Sequence, residues 1–264
     1  RQRALEKLGT FVPKIGYPDE WKDYSALEID PADLFGNVRR SVAVETARDL
    51  DKLGKPVDRN EWRMTPQTVN AYYNPRMNEI VFPAGILQPP FFGLDADDAT
   101  NYGAIGAVIG HEIGHGFDDQ GSRYDAAGNL NDWWTDEDRA AFEQRTDKLV
   151  AQYDALEPAE VPGQKVNGKL TLGENIGDLG GLSIAYVAYQ LSLDGTESEE
   201  ELQAGAERFF AAWAHAWATK TRPEEAARRL TIDPHSPPEF RCNAVVKNID
   251  AFHTAVMFWK TKSF

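Results

Sequence analysis

The sequence predicts a mainly α-helical α+β domain with a small antiparallel sheet. From residue 99 onward, apolar residues recur at helical spacing in several long segments. Residues 69–82 instead hold two short runs rich in aromatic and β-branched side chains, which are typical of strands. The 264 residues are 42% hydrophobic and 11% aromatic, so the chain can form a sizeable core and disorder is excluded.

The first part of the chain predicts an irregular connector and one helix. Residues 9–30 are rich in Pro, Gly and aromatic side chains and show no period. Asp30 and Pro31 form a typical helix start, with an N-cap followed by proline in the first turn. Apolar residues then recur at near-helical spacing as far as Leu53, and Gly54 follows. We therefore predict a helix over residues 31–53.

The two strand candidates indicate a β-hairpin. Residues 69–73 and 79–82 flank a turn that contains Asn74, Pro75 and Asn78. Prolines follow at positions 83, 89 and 90, and they prevent the chain from continuing as a central strand.

The remainder of the chain predicts a series of helices. Thr135 followed by Asp138 resembles a capping box and indicates one helix start. The predicted helices cover about residues 99–118, 135–156, 174–193, 199–220 and 223–230, with one or two short helices within 238–257.

Charge and cysteine content exclude several classes of function. Lys and Arg number 28 against 42 Asp and Glu, which gives a net charge of −14. An acidic surface repels nucleic acid and anionic lipid, so we predict no nucleic-acid partner. Cys242 is the single cysteine and cannot form an internal disulfide. No stretch approaches the ~20 apolar residues of a membrane span.

Residues 111–115 read H-E-I-G-H and carry the main chemical indication. On a helix, residues four apart lie on one face, so His111 and His115 can reach the same metal ion. Glu112 would then lie beside the open position of the metal and take a proton from a metal-bound water. Zinc suits this chemistry because it polarises water and a carbonyl without redox side reactions.

A surface helix with two solvated histidines and no metal could contain the same five-residue sequence. The neighbouring residues favour the metal site, because Val108, Ile109, Ile113 and Phe117 surround the pair with apolar side chains. Five glycines also crowd this helix, although each costs ~1 kcal/mol relative to alanine. Such conflicts with local propensity tend to mark functional or closely packed sites.

A catalytic zinc needs a third protein ligand, and residues 173–178 offer one at the start of a new helix. Glu174 and Asp178 are one turn apart on the same face. Glu174 as ligand and Asp178 as the partner of a zinc-bound imidazole form a coherent pair. The alternative is that both are acidic residues favoured by the helix dipole, and the presence of H-E-x-x-H favours the ligand.

Several longer motifs, taken together, resemble the neprilysin family of zinc metalloendopeptidases, which includes neprilysin, endothelin-converting enzyme and bacterial PepO. The similarity runs from about residue 33 to about residue 257 with the motifs in family order. The motifs are VNAYY at 69–73, VFPAGILQPPFF at 81–92, VIGHEIGHGFDD at 108–119, GENIGD at 173–178 and DPHSP at 233–237, followed by Phe240 and Arg241.

The resemblance implies a thermolysin-like zincin (gluzincin) catalytic domain that binds one zinc ion. It implies that His111, His115 and Glu174 bind the metal and that Glu112 is the general base. Asp178 and Asp118 correspond to the carboxylates that orient the zinc-bound imidazoles. His235 corresponds to the residue that stabilises the oxyanion, and Asp233 would fix its ring.

The resemblance also implies how a peptide would bind. Arg241 corresponds to the anchor of a substrate carbonyl, and Asn70 and Ala71 correspond to the edge strand that pairs with the substrate backbone. The walls of the pocket for the apolar side chain after the scissile bond correspond to Ile86, Phe91, Val108 and Trp217. Ordinary core packing is the alternative for these four residues.

Full-length relatives are longer and carry an N-terminal helical lid. We therefore interpret residues 1–32 as the exit segment or a remnant of that lid, and residues 33–264 as the catalytic domain. The absence of an initial Met indicates a fragment or a processed form, whose missing partner is the lid of the same protein. The single cysteine favours a bacterial type of protein, either cytoplasmic or exported and anchored, and the oligomeric state stays open.

The predicted function is zinc-dependent endopeptidase activity on oligopeptides, with an apolar residue preferred on the amine side of the cleaved bond. Two alternatives stay open at this point. One is a zinc-containing module that binds peptides without cutting them, and the other is an aminopeptidase that depends on a free substrate N-terminus.

Overall fold

The protein forms a helical fold with one small sheet, seen in a computed structural model that describes residues 1–261, with side chains described to residue 255. Residues 1–16 and the chain from residue 67 onward make one compact unit, and residues 17–66 make a second. None of the helices in the described residues is long and apolar enough to cross a membrane.

The sheet has three strands, β1 (Val12–Gly16), β2 (Tyr72–Asn74) and β3 (Glu79–Pro83), in the order β1-β3-β2. The predicted hairpin is confirmed, because β2 and β3 pair antiparallel with Tyr73 opposite Ile80. β1 pairs parallel to β3 with Ile15 opposite Phe82, so the sheet is mixed and not antiparallel throughout. The sequence predicts an irregular connector here, because Pro13 and the glycines around the strand hide the pattern of β1.

The first helix, α1 (Gln2–Gly9), leads directly into β1 and packs with the sheet unit. The boundary between the compact units therefore does not coincide with the predicted domain boundary at residue 32. Residues 1–16 belong with the later chain because β1 pairs with β3. The origin of residues 1–32 in a lid stays a prediction. In the second unit, the predicted helix is confirmed as α2 (Leu34–Asp51), but the predicted start was wrong, because Asp33 and not Asp30 caps the N-terminus.

The remaining helices lie close to their predicted positions. They are α3 (Asp98–Asn101), α4 (Ala107–Gly114), α5 (Asp136–Asp154), α6 (Leu172–Ser192), α7 (Glu199–Ala216), α8 (Pro223–Ile232), α9 (Pro238–Val246) and α10 (Asp250–Thr261). The hydroxyl of Thr135 accepts from the N–H of Asp138, as the capping pattern predicts. Proline in the first turn begins both α8 and α9.

The predicted single helix over residues 99–118 is interrupted. A π-helical turn, Tyr102–Gly106, separates α3 from α4, and the chain leaves the helix after Gly114. Single π-turns inside helices recur at functional sites. This one lies against α7, where a Cβ on Gly103 would be 2.1 Å from the carbonyl oxygen of Phe209.

Among the residues whose side chains the structure describes, the core consists of one large apolar cluster and two smaller ones. The large cluster lies between α6, α7, α9 and α10 and includes the fully buried Leu182, Phe209, Trp213 and Val245. A second cluster lies behind the sheet around Ile80, Phe82, Ile86 and Ile105. A third, around Tyr153 and Phe240, packs α5 against α9. These clusters hold α4 and α6 side by side, and the candidate site is built on those two helices.

Candidate metal centre

Helix α4 carries the first two candidate ligands on one face. His111 and Glu112 lie within the helix, and both are buried. His115 follows the last helical residue but keeps a right-handed helical backbone, and its N–H donates to the carbonyl of His111 at 3.1 Å. The two imidazoles are therefore neighbours, with ring centroids 4.5 Å apart.

The third candidate ligand comes from the first turn of α6. Oε2 of Glu174 lies 3.1 Å from Nε2 of His111, and Oε1 of Glu174 lies 3.6 Å from Nε2 of His115. One ligand atom from each of these three residues lies within 4.8 Å of the others, so together they could hold a metal ion. Two imidazoles and a carboxylate are a donor set found in catalytic zinc sites, which keep a fourth position open.

Both imidazoles are oriented by carboxylates behind them. Nδ1 of His111 lies 2.8 Å from Oδ1 of Asp178, and Nδ1 of His115 lies 2.7 Å from Oδ2 of Asp118. A proton on each Nδ1 leaves each Nε2 free to face the ligand position. The sequence predicts both carboxylates without assigning either to a ring, and the structure places Asp178 against His111 and Asp118 against His115.

The electrostatics of the site favour a cation. Although burial alone would lower it, the carboxylates of Asp178 and Glu174 raise the pKa of His111 to about 10. Burial would raise the pKa of Glu174, but the neighbouring imidazoles of His111, His115 and His235 hold it well below its usual range. Negative charge therefore concentrates where the three candidate ligands converge, as a divalent metal site requires.

Glu112 lies beside this position without taking part in the ligand set. Burial raises the pKa of its carboxyl, and its Oε2 has no hydrogen-bond partner among the residues that the structure describes. Buried polar atoms are normally paired, so an unpaired carboxylate oxygen here is consistent with a group that acts on water or substrate.

His235 reaches the site from the loop between α8 and α9. Its Nε2 lies 3.2 Å from Oε2 of Glu174, and its Nδ1 lies 2.8 Å from Oδ1 of Asp233. The backbone N–H of His235 also donates to that Asp233 oxygen at 2.9 Å, so one carboxylate orients both the loop and the ring. The side chain is 42% exposed, which leaves it open to a ligand.

Arg241 makes contacts inside the site that the sequence does not predict. Its Nε and Nη2 donate to the two carboxylate oxygens of Asp178, each at 2.7 Å. Its guanidinium also stacks on Trp217, with Cζ 3.9 Å from the ring centroid. Arg241 therefore continues the chain of contacts from His111 through Asp178. No local pattern indicated this pair, because 63 residues separate its members.

The predicted peptide-binding residues fall into two groups. Ala71, Ile86, Phe91 and Val108 all belong to the apolar cluster behind the sheet. Trp217 packs with the large helical cluster and beneath Arg241. Asn70 and Ala71 precede β2 and do not lie in it, since the strand begins at Tyr72. β2 is nevertheless an edge strand of the described sheet.

Two buried connections were missed by sequence analysis. Ser236 donates to Oδ1 of Asn175 at 2.7 Å, which joins the loop of His235 to the helix of Glu174. Lys7 of α1 donates to carbonyls in the loop that follows His115. Asn175 and Ser236 lie inside the motifs at 173–178 and 233–237, and each adjoins a predicted site residue, which is how the sequence indicates them.

An H-E-x-x-H helix, a glutamate from a second helix and orienting carboxylates on a mainly helical fold define a zincin-type metallopeptidase domain. The chain belongs to peptidase family M13, whose family model matches residues 70–263. Zinc is the metal that this family implies, and the three candidate ligands fit it.

Individual relatives agree with this membership. The chain is 42% identical to Neprilysin-11 of Caenorhabditis elegans, over 94% of the chain and 31% of that protein. It is 40% identical to a neutral endopeptidase of Lactococcus lactis, over 96% of the chain and 38% of that protein. The chain therefore spans less than two fifths of the length of these relatives.

Solved structures show the same fold. The zinc metalloprotease ZMP1 of Mycobacterium tuberculosis, in complex with an inhibitor, superposes with a TM-score of 0.93 at 63% identity. That match covers 96% of this chain and 39% of ZMP1. PepO from Lactobacillus superposes with a TM-score of 0.87 at 41% identity, over 97% of this chain and 39% of PepO.

Proposed function

We propose that this chain is the catalytic part of a zinc-dependent endopeptidase that cleaves oligopeptides. The observation that carries the proposal is the buried Oε2 of Glu112, which has no hydrogen-bond partner among the described residues, beside the three convergent ligand atoms of His111, His115 and Glu174. Zinc bound by these three residues would supply Lewis-acid polarisation of the scissile carbonyl and of a water molecule.

Each of the other side chains has a separate role in the reaction. Glu112 takes a proton from the attacking water and returns it to the leaving amine, a role for which a carboxyl with a raised pKa is suited. His235, held by Asp233, donates to the oxygen that gains negative charge. Asp178 and Asp118 keep the two imidazoles of the ligand set in orientation.

Substrate binding uses the two groups of residues described above. The backbone at Asn70 and Ala71, next to an edge strand, pairs with an extended peptide. The apolar side chains of Ile86, Phe91 and Val108, with Trp217, accept an apolar residue on the amine side of the cleaved bond. Arg241 binds a substrate carbonyl through the donors that Asp178 leaves free.

The full-length protein adds a lid to this catalytic part. The relatives are more than twice as long as the chain, and the resemblance assigns a helical lid to their N-terminal portion. We include that lid as the partner of this domain and expect it to limit the size of the peptides that enter. The comparison to make is turnover of short and long peptides by the chain with and without its lid.

Replacing Glu112 with Gln tests the proposal directly. The amide cannot accept the proton, so we expect peptide cleavage to fall by about 10²–10⁴-fold. Zinc content should stay near one per chain, because Glu112 is not in the ligand set. Zinc is measured by atomic absorption and cleavage by a fluorogenic peptide blocked at both ends.

The matched control is Glu137→Gln in the exposed first turn of α5, which should keep full activity. Cleavage retained by Glu112→Gln would contradict the role of Glu112. Mass spectrometry of blocked and free peptides separates the alternatives. An aminopeptidase would cleave only free N-termini, and a binding module would cleave neither.

A further inference from the structure

Lys7 is a lysine buried almost completely next to the candidate metal centre. It lies in α1, outside the residues that the family model matches, and only 1% of it is exposed. Its Nζ donates to the carbonyl oxygens of Gly116 at 2.6 Å, Gly121 at 2.7 Å and Tyr124 at 2.7 Å. An ammonium has three N–H donors, so this loop uses all of them.

Burial of this charge is unfavourable unless the site compensates for it. Desolvation lowers the pKa of Lys7 to about 8, while the charges of Asp118 and Asp125 act in the opposite direction. The rings of Phe117 and Tyr73 lie 5.5 and 5.9 Å from Nζ. A buried ammonium needs such partners, and here the backbone carbonyls of one loop provide the direct ones.

The loop that Lys7 binds also holds Asp118. Oδ1 of Asp118 accepts from the N–H groups of Gln120 at 2.8 Å and Gly121 at 2.6 Å, and its Oδ2 lies 2.7 Å from Nδ1 of His115. Gly121 therefore binds Asp118 through its N–H and Lys7 through its carbonyl. The loop also folds back closely on its own start, since a Cβ on Gly121 would lie 1.7 Å from the carbonyl oxygen of His115.

The other end of Lys7 is anchored to the sheet. Asn78, in the turn between β2 and β3, donates to the carbonyl of Lys7 at 3.1 Å and to the hydroxyl of Thr10 at 2.6 Å. The carbonyl of Asn78 accepts from the N–H of Val12 at 2.9 Å. Lys7 thus connects a fixed point on the sheet to the loop that follows the H-E-x-x-H helix.

We propose that Lys7 is a positioning residue for the metal centre. Its three hydrogen bonds hold residues 116–124 in the one conformation that keeps Asp118 against His115. This inference rests on the proposed function, because it takes His115 as a zinc ligand. If Lys7 has this role, residues 1–16 contribute to the geometry of the metal centre.

The test is the zinc affinity of Lys7→Met, which keeps the length of the side chain and removes the donors. Substitutions behind metal ligands typically weaken binding by about 10–100-fold, and we expect a loss at the lower end of that range. The dissociation constant is measured by chelator competition on folded protein. The visible spectrum of the cobalt-loaded protein, which reports ligand geometry, should change in parallel.

Lys14→Met is the matched control, since Lys14 lies in the neighbouring strand β1 and its Nζ pairs with the carboxylate of Glu79 at 2.6 Å. A merely structural effect would lower the stability of both variants and leave both zinc constants and cobalt spectra unchanged. That result would overturn the proposal. If Lys7→Met does not fold, Lys7→Gln, which keeps two donors, is judged by the same zinc constant and spectrum.

The outcomes also separate this inference from the proposed function. Wild-type chain that binds zinc tightly but cuts no peptide would contradict the proposed function. The zinc dissociation constants of wild type and Lys7→Met would still test the role of Lys7 in that case. A wild-type enzyme that cuts peptides, with equal zinc constants for wild type and Lys7→Met, would overturn the role of Lys7 alone.

Discussion

Ser236 connects two parts of the site through one buried hydrogen bond. Its hydroxyl donates to Oδ1 of Asn175 at 2.7 Å, and Nδ2 of Asn175 donates to the hydroxyl of Thr171 at 2.9 Å. All three residues are at most 3% exposed. Because Ser236 follows His235 and Asn175 follows Glu174, we expect this pair to hold the histidine at its distance from the carboxylate.

Removal of that hydroxyl should affect catalysis through His235. We expect Ser236→Ala to lower kcat by about 10–100-fold, since small misplacements of a reacting group have effects of that size. KM and zinc content should change little. In a His235→Phe background the same substitution should have almost no further effect, because the group that it positions is absent. Steady-state kinetics on all four proteins measures this coupling.

Ser183→Ala provides the control, because it removes a hydroxyl that donates to the carbonyl of Leu179 within α6. It should leave kcat unchanged in both backgrounds. An equal loss from Ser236→Ala with and without His235 would indicate general destabilisation and contradict the positioning role.

Helices α4 and α6 approach each other so closely that only glycine fits between them. A Cβ on Gly181 would lie 2.4 Å from the backbone nitrogen of His111, and a Cβ on Gly110 would lie 2.7 Å from the carbonyl oxygen of Gly181. On the same face of α6, a Cβ on Gly177 would lie 2.8 Å from Nδ1 of His111. The glycines that conflict with helical propensity therefore bring the ligands of the two helices together.

Gly181→Ala should separate the two helices. Backbone atoms cannot move away as a side chain can, so we expect a loss of about 1–3 kcal/mol in the free energy of unfolding. Zinc affinity should fall with it, since His111 and Glu174 lie on the separated helices. Denaturant unfolding and chelator competition measure the two effects.

Gly180→Ala in the same helix is the control, because nothing lies within 4 Å of its added Cβ. It should be neutral or stabilise the helix by up to about 1 kcal/mol. Equal effects of the two substitutions would show that helix propensity, and not the close approach, explains the glycines.

The described chain forms two compact units that differ in how much apolar surface they bury. Helix α2, in residues 17–66, has no buried residue, and Leu34 and Phe35 are 80% and 75% exposed. Helix α6, in the other unit, buries Leu182 and Ala185 almost completely. Since burial of apolar surface provides most of the stability of a fold, the two units should differ in stability.

Hydrogen exchange should report this difference. Amides of α2 should exchange through local opening that costs little free energy. Amides of α6 should instead have opening free energies that approach the free energy of global unfolding. We expect protection factors at least about a hundred-fold lower in α2. Mass spectrometry of peptic fragments measures both helices in one experiment, and equal protection would contradict the prediction.

Much of the site could be predicted from short spacings in the sequence. His111 and His115 share a helical face because they are four residues apart, and Glu174 and Asp178 do so for the same reason. The helices follow from apolar periodicity and from caps such as Thr135. These features depend on neighbours within a few residues, so the local sequence is sufficient to determine them.

Only the tertiary structure decided which distant groups meet. Lys7 and Gly116 are 109 residues apart, and Asp178 and Arg241 are 63 apart, so no local pattern connects them. The parallel pairing of β1 with β3 likewise joins segments that are far apart in the chain. Such contacts form when the apolar clusters bring distant segments together and buried polar groups must find partners. The sequence by itself predicted the candidate ligands and the candidate general base, and packing decided how those residues are held.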